Sequence, residues 1–193
     1  MVASASFNVN NNDWQAVKKN LSDYQKREVK LLEFLKDEFP EFIYFKHNPQ
    51  NSPADGLKGD YWDSDTGFTY ELKVDSYSAK NATGAIFIEY FKTNLKGGGL
   101  IPSGLSTTRA DYHMFPVSEM GDNTLLIVPT KLLVMELLRI DFQQKTSGVG
   151  VNGNTGQMKS TGILAPIETL KQYATLTVPL PDDFFSQWQS WGV

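Results

Sequence analysis

The segment Phe68-Thr69-Tyr70-Glu71-Leu72-Lys73-Val74-Asp75 carries the residues best suited to chemistry. Apolar and polar residues alternate in it, the period of a β-strand whose successive side chains point to opposite faces. That alternation assigns Phe68, Tyr70, Leu72 and Val74 to a core-facing stripe, and Thr69, Glu71, Lys73 and Asp75 to the other face. A carboxylate and an ammonium at i and i+2 then project side by side. Such a pair suits a metal ligand next to a cation that contacts an attacking water or a scissile phosphate. A lone Glu-x-Lys is more often a solvated face on an edge strand, but Asp60 changes that balance. It lies in Gly59-Asp60-Tyr61-Trp62, and Ser64-Asp65-Thr66-Gly67 reads as the turn between two strands. With a four-residue turn, Asp63 pairs with Phe68 and Asp60 falls opposite Glu71, with Cβ atoms about 5 Å apart. A five-residue turn would put Asp60 on the wrong face. Two carboxylates so close repel unless a cation lies between them. Magnesium, bound by a few carboxylates plus waters and phosphate oxygens, meets that requirement.

Two further carboxylates are candidates. Leu21, Tyr24, Leu32, Leu35 and Phe39 recur at helical spacing, and Glu28 lies on the same stripe, four residues from both Tyr24 and Leu32. An inward carboxylate is costly without a partner, so Glu28 either snorkels at the rim or faces a metal site. Glu89, in Ile86-Phe87-Ile88-Glu89-Tyr90, either faces the same cleft as Glu71 or points to solvent. Lys80, Lys92, Lys96 and Arg109 fall near these residues in sequence, as phosphate contacts or as scattered solvated charges. His47 and His113 lack ligand spacing and read as structural or exposed. Gly97-Gly98-Gly99 is not followed by the Gly-Lys-Ser/Thr of a phosphate loop. Trp62, Trp188 and Trp191 read as packing more readily than as base-stacking platforms.

The elements that must position these groups read as follows. A helix runs from Asp13 or Ser22 to Phe39, with Ser22 and Gln25 as a capping box and Pro40 just past its end. Phe42 to Lys46 is a short strand; Leu57 to Asp63 and Phe68 to Asp75 form a hairpin; Ala85 to Phe91 is a further strand before a Gly-rich loop, Lys96 to Gly104. A second helix is expected from Ser106 to about Met114, then a strand Thr124 to Val128 and a helix from Thr130. Thr146 to Thr161 reads as a polar loop, followed by Ile163 to Pro166, a helix Ile167 to Tyr173 and a strand Thr175 to Leu180. The order implies an α/β fold with a central mixed sheet flanked by helices.

A chain of 193 residues fits one domain. Its 40% hydrophobic and 21% charged residues are ordinary for a globular protein. No apolar run approaches the roughly 18 residues that cross a bilayer, and residues 1–13 lack the pattern of a secretory signal, so the expected setting is cytoplasmic, without a membrane. Zero cysteines exclude thiolate metal sites, and two histidines disfavour a zinc enzyme. The net charge of −4 shows no overall basic footprint for nucleic acid. Carboxylates committed to a metal would mask a local one.

Asp60, Glu71-Leu72-Lys73 and the helix–strand–hairpin order resemble the PD-(D/E)XK nuclease superfamily over about Ser22 to Val128. The stretch Ser103 to Tyr112, following Phe87-Ile88-Glu89-Tyr90, is similar to small phage and bacterial nucleases of that type, and Glu28 matches the helix carboxylate of a Holliday-junction-resolvase-like branch. Gly59 stands where a proline is usual, and the Gln-x-x-x-Tyr motif of recombination nucleases is absent. The resemblance implies a restriction-endonuclease-like core (about 22–128), a polar lead (1–12) and a C-terminal elaboration (129–193). It implies an endonuclease in which Asp60, Glu71 and the Leu72 carbonyl hold Mg²⁺, or Mn²⁺ in its place, with Glu89 as a further candidate ligand. Lys73 would position or deprotonate the attacking water, and Glu28 would orient a water or second ion. DNA is the implied partner, cut by a homodimer in a cytoplasm, the host's if the protein is phage-encoded. The rival expectation is a non-catalytic DNA-binding or assembly protein that keeps the fold.

Overall fold

The computed structural model describes residues 11–48, 59–81, 83–94, 100–139, 144–146 and 158–192. Helix α1 (Asn11–Glu38) opens them, so Ser22 is an interior helical residue and not the expected N-cap. Pro40 ends the helix: it disfavours a helical residue before it, and Phe39 is extended (φ −134°, ψ 115°). A 3₁₀ turn (Pro40–Phe42) leads to β1 (Phe45–His47), β2 (Tyr61–Asp63), β3 (Thr69–Leu72), the short α2 (Ser76–Lys80), β4 (Ala85–Asn94) and β5 (Leu100–Pro102). After a second 3₁₀ turn (Gly104–Ser106) come β6 (Tyr112–Glu119), β7 (Asp122–Pro129), α3 (Thr130–Arg139), β8 (Gln144–Thr146), β9 (Met158–Pro166), α4 (Ile167–Tyr173), β10 (Leu176–Pro179) and α5 (Phe184–Ser190).

The fold is mixed α/β. Strands β1-β2-β3-β6-β7-β10 form one sheet in that order, parallel only between β3 and β6. Strands β5-β4-β9-β8 form a second, antiparallel sheet. Alternation along β6 and β7 feeds two cores. Met114, Leu125 and Ile127 pack with Leu31, Leu35, Phe42, Phe184 and Trp188, so α1 and α5 cover one face. Phe115, Val117, Leu126 and Val128 pack with Ile86, Ile88, Ile163, Leu133 and Leu170, so the second sheet, α3 and α4 cover the other.

Two further expectations are corrected. Ser106 to Met114 is not a helix: from Tyr112 the chain is the strand between β3 and β7, buried from His113 to Val117, and that burial outweighs the capping residues. Pro116 fits there because Met114 O accepts from Lys73 N, which turns the even-numbered backbone groups of β6 toward β3. The β3 pairing stops at Met114, so the N–H that proline lacks has no ladder partner to lose. The polar stretch 146–161 is in part strand: β9 pairs with β4 from Asn94↔Met158 to Ala85↔Pro166, whereas 147–157 lie outside the described residues. Gly162 serves close packing, since a Cβ there would lie 2.3 Å from Ile88 O. Part of 129–193 completes the main sheet and its core. β10 extends the main sheet, and Phe184 and Trp188 of the unanticipated α5 are buried against α1. Truncating either aromatic to alanine would cost about 3–5 kcal/mol.

Candidate active site

The hairpin places the site's first three residues. Asp63 N donates to Phe68 O (2.9 Å) and Gly67 N to Asp63 O (2.8 Å), closing the four-residue turn Ser64–Gly67. Tyr61 and Trp62 stand opposite Tyr70 and Thr69. The ladder ends there, one residue short of an Asp60–Glu71 pair. Asp60 N donates instead to Tyr70 O (2.8 Å), and Asp60 Oδ2 accepts the Leu72 N–H (2.7 Å), so the carboxylate takes a place that a β2 carbonyl would hold. Gly59 makes the bend. Its φ is +87°, and a Cβ on it would lie 2.4 Å from Tyr70 O. A proline, with φ near −65°, cannot adopt that conformation.

Asp60 is 7% exposed. Burial, then the charges of Glu71 and Glu28, push its carboxyl up to about 7, against the Leu72 N–H and Lys73. Lys73 Nζ lies 2.5 Å from Glu71 Oε1. Burial would lower the Lys73 ammonium, but Glu71, by charge and hydrogen bond, then Asp60 and Tyr24, outweigh it and raise it. Because 40% of that side chain is exposed, water screens the pair and it adds little to stability. The expected core stripe is only partly realised: Tyr70 and Leu72 are buried, while Phe68 is 44% exposed.

Helix α1 brings the fourth carboxylate. Glu28 is buried on the Leu31–Leu32–Leu35 side of the helix, and its Oε2 lies 2.9 Å from His47 Nε2. Tyr61 donates its hydroxyl to the Glu28 carbonyl (2.9 Å), locking helix to hairpin. Spacing gave no sign of His47, because only the β1–β2 pairing carries it to the helix. Tyr24 was missed as a site residue although it sits one turn before Glu28. Burial, against Lys73 and with Glu28 contributing, raises its phenol.

Other candidates fall elsewhere. Glu89 is on the second sheet, where Ser103 Oγ (2.5 Å) and Ser160 Oγ donate to its two oxygens. The charges acting most strongly on Asp60 do not include it. Lys80 and Arg109 are exposed; Lys92 lies in β4, and Lys96 is outside the described residues. Trp188 is 1% exposed within an aromatic group with Phe184, Tyr24 and Trp191, so it offers no face to a base. His113 is fully buried: burial first, then Lys73, push its imidazole down to about 3, so the ring is neutral. Among the described residues, no three of His, Cys, Asp and Glu are grouped so that they could hold a metal ion. No described helix is long and apolar enough to cross a membrane. The chain matches no family model, no curated protein and no solved structure.

Proposed function

We propose that the chain is a Mg²⁺-dependent DNA endonuclease of PD-(D/E)XK type with a restriction-endonuclease-like core. One observation carries the reading: Asp60, Glu71 and Lys73 meet where the β2–β3 ladder ends, and α1 turns the buried Glu28 toward them. A carboxyl pushed up to about 7 by burial, and then by two neighbouring carboxylates, is a group that a divalent cation would relieve of its proton. Magnesium keeps several waters and needs only one or two carboxylates, so an open donor set suits it. Mn²⁺ would substitute.

When bound, the metal would supply Lewis-acid polarisation of a phosphate oxygen and of water. Asp60 and Glu71, with the Leu72 carbonyl, would hold it. Lys73 stays protonated beside Glu71, so its work is electrostatic: it donates a hydrogen bond to the attacking water or to a non-bridging phosphate oxygen. That favours positioning over proton abstraction. Glu28, held by His47, orients a water from the helix side. Arg109 and Lys80, both exposed, are the candidates for contact with the DNA backbone, and a homodimer would present two such sites to its two strands.

The test is a cleavage panel of supercoiled, linear, nicked, flap and four-way-junction DNA, with RNA alongside, in Mg²⁺ and in EDTA. Cutting should need the metal and vanish in Glu71→Ala. Equal rates for wild type and Glu71→Ala would overturn the assignment. Salt-sensitive DNA binding without cutting would point to the non-catalytic binding reading instead.

A further inference from the structure

His113 stands beside Glu71 as its partner in the parallel β3–β6 ladder, and such partners project from the same face of a sheet. The ring is held on one face and one edge: it stacks on Phe115 at 5.6 Å between centroids, and Nδ1 lies 2.9 Å from Thr130 Oγ1 at the start of α3. On the other side of the ring, Nε2 is buried and meets no hydrogen-bonding group of the described protein. Buried polar atoms are nearly always partnered, by protein or by water. A neutral imidazole has one donor and one acceptor nitrogen, and the bond made by one fixes the role of the other. With the proton on Nδ1 and shared with Thr130, Nε2 presents a lone pair. The neighbouring Lys73 ammonium favours that arrangement, since a positive charge attracts a lone pair and opposes an N–H.

We propose that His113 is a positioning residue for the Glu71–Lys73 pair: its Nε2 accepts a hydrogen bond from a buried water that in turn accepts one from Lys73 Nζ. The water's second hydrogen is left for the Glu71 carboxylate, so the buried imidazole nitrogen gains a partner without leaving the water a stray donor. Lys73, 40% exposed and otherwise held by Glu71, is thereby fixed from below. The catalytic consequence rests on the nuclease reading; the hydrogen-bond arrangement does not.

Two substitutions separate this role from a structural one. His113→Gln sets an amide near the position of Nε2, whereas His113→Asn sets it near Nδ1 and so serves Thr130. A positioning role leaves the Gln protein within about threefold of wild-type kcat. The Asn protein loses about 10- to 100-fold in kcat with KM unchanged, the scale of a misplaced catalytic group. A structural role reverses the order, and equal kcat in the two variants also overturns the proposal. A second readout needs no activity: ¹⁵N NMR of the full-length wild-type protein should show a protonated Nδ1 and an unprotonated, hydrogen-bonded Nε2. If wild type cuts nothing, this spectrum still decides the case, and a protonated Nε2 sinks it.

Discussion

Asp60 and Asp63 stand at the two ends of one short stretch of chain and are almost equally buried, at 7% and 8% exposure. Their surroundings differ. Asp63 is served by its own turn: Asp65 N donates to Oδ1 (2.9 Å) and Thr66 Oγ1 to Oδ2 (2.6 Å). Asp60 receives the Leu72 N–H and then confronts the charges of Glu71 and Glu28. Burial is common to both, so burial does not mark the site. What marks it is like charge brought together by separate elements, a cost the fold carries at Asp60 and avoids at Asp63.

The largest expected difference is in activity. Asp60→Asn should lower cleavage about 10²- to 10³-fold, the range for losing one electrostatic contributor. Its melting temperature should stay level or rise, because repulsion is removed. Asp63→Ala should show the opposite: normal cleavage per folded molecule, with about 1–3 kcal/mol of stability lost with the turn. For a chain of this size that lowers Tm by roughly 2–12 °C. A calorimetric scan and a plasmid assay on both proteins would break the contrast if Asp63→Ala alone lost activity.

The glycines flanking the two ends sharpen it. Gly59→Ala places a Cβ 2.4 Å from a backbone oxygen at positive φ and should cost about 2–4 kcal/mol while displacing Asp60. Gly67, at φ +77° with nothing within 4 Å, should cost only about 1–2 kcal/mol on the same change, with cleavage intact. Urea unfolding of the pair measures both.

Titration gives the next effect. The Asp60 carboxyl rises from 3.8 to about 7 on folding, so the folded state binds the extra proton between those values. The stability this contributes is fully present below pH 3.8 and lost as pH rises through about 7. In EDTA, unfolding free energy measured from pH 4 to 8 should therefore decline more steeply for wild type than for Asp60→Asn. Superimposable slopes would mean that Asp60 ionises normally.

Smaller effects are expected at the periphery. Glu28→Gln keeps a partner for His47 but removes a charge facing Asp60, so turnover should drop about tenfold at low Mg²⁺ and recover at high Mg²⁺. Stability should stay the same or rise. Rate curves that coincide at every metal concentration would remove Glu28 from the site. Arg109→Ala should flatten the log–log dependence of DNA affinity on salt by about one, with the metal requirement unchanged. An unaltered slope would leave Arg109 an ordinary solvated charge.

Much of the site was legible because hairpins are local. Alternation assigned Glu71 and Lys73 to one face, the turn composition of Ser64-Asp65-Thr66-Gly67 gave the closure that is found, and helical spacing put Glu28 on a buried stripe. Misreadings arose where distant chain segments decide. Ser106-Thr107-Thr108 cap well in isolation, yet β3 and β7 claim the following residues for a strand. Glu89 alternates like Glu71, but its strand joined the other sheet.

The sequence by itself determined the four-residue turn that brings the chain from Asp60 back to Glu71 and Lys73, because side-chain period and turn length are properties of adjacent residues. Only the tertiary structure decided which further groups join them. Glu28 meets His47 because β1 pairs with β2 and Tyr61 ties that hairpin to α1. His113 lies beside Glu71 because β6 runs parallel to β3, a neighbour forty-two residues away along the chain. The physical reason is the range of the forces: backbone geometry acts between neighbours in sequence, whereas burial and charge act between neighbours in space.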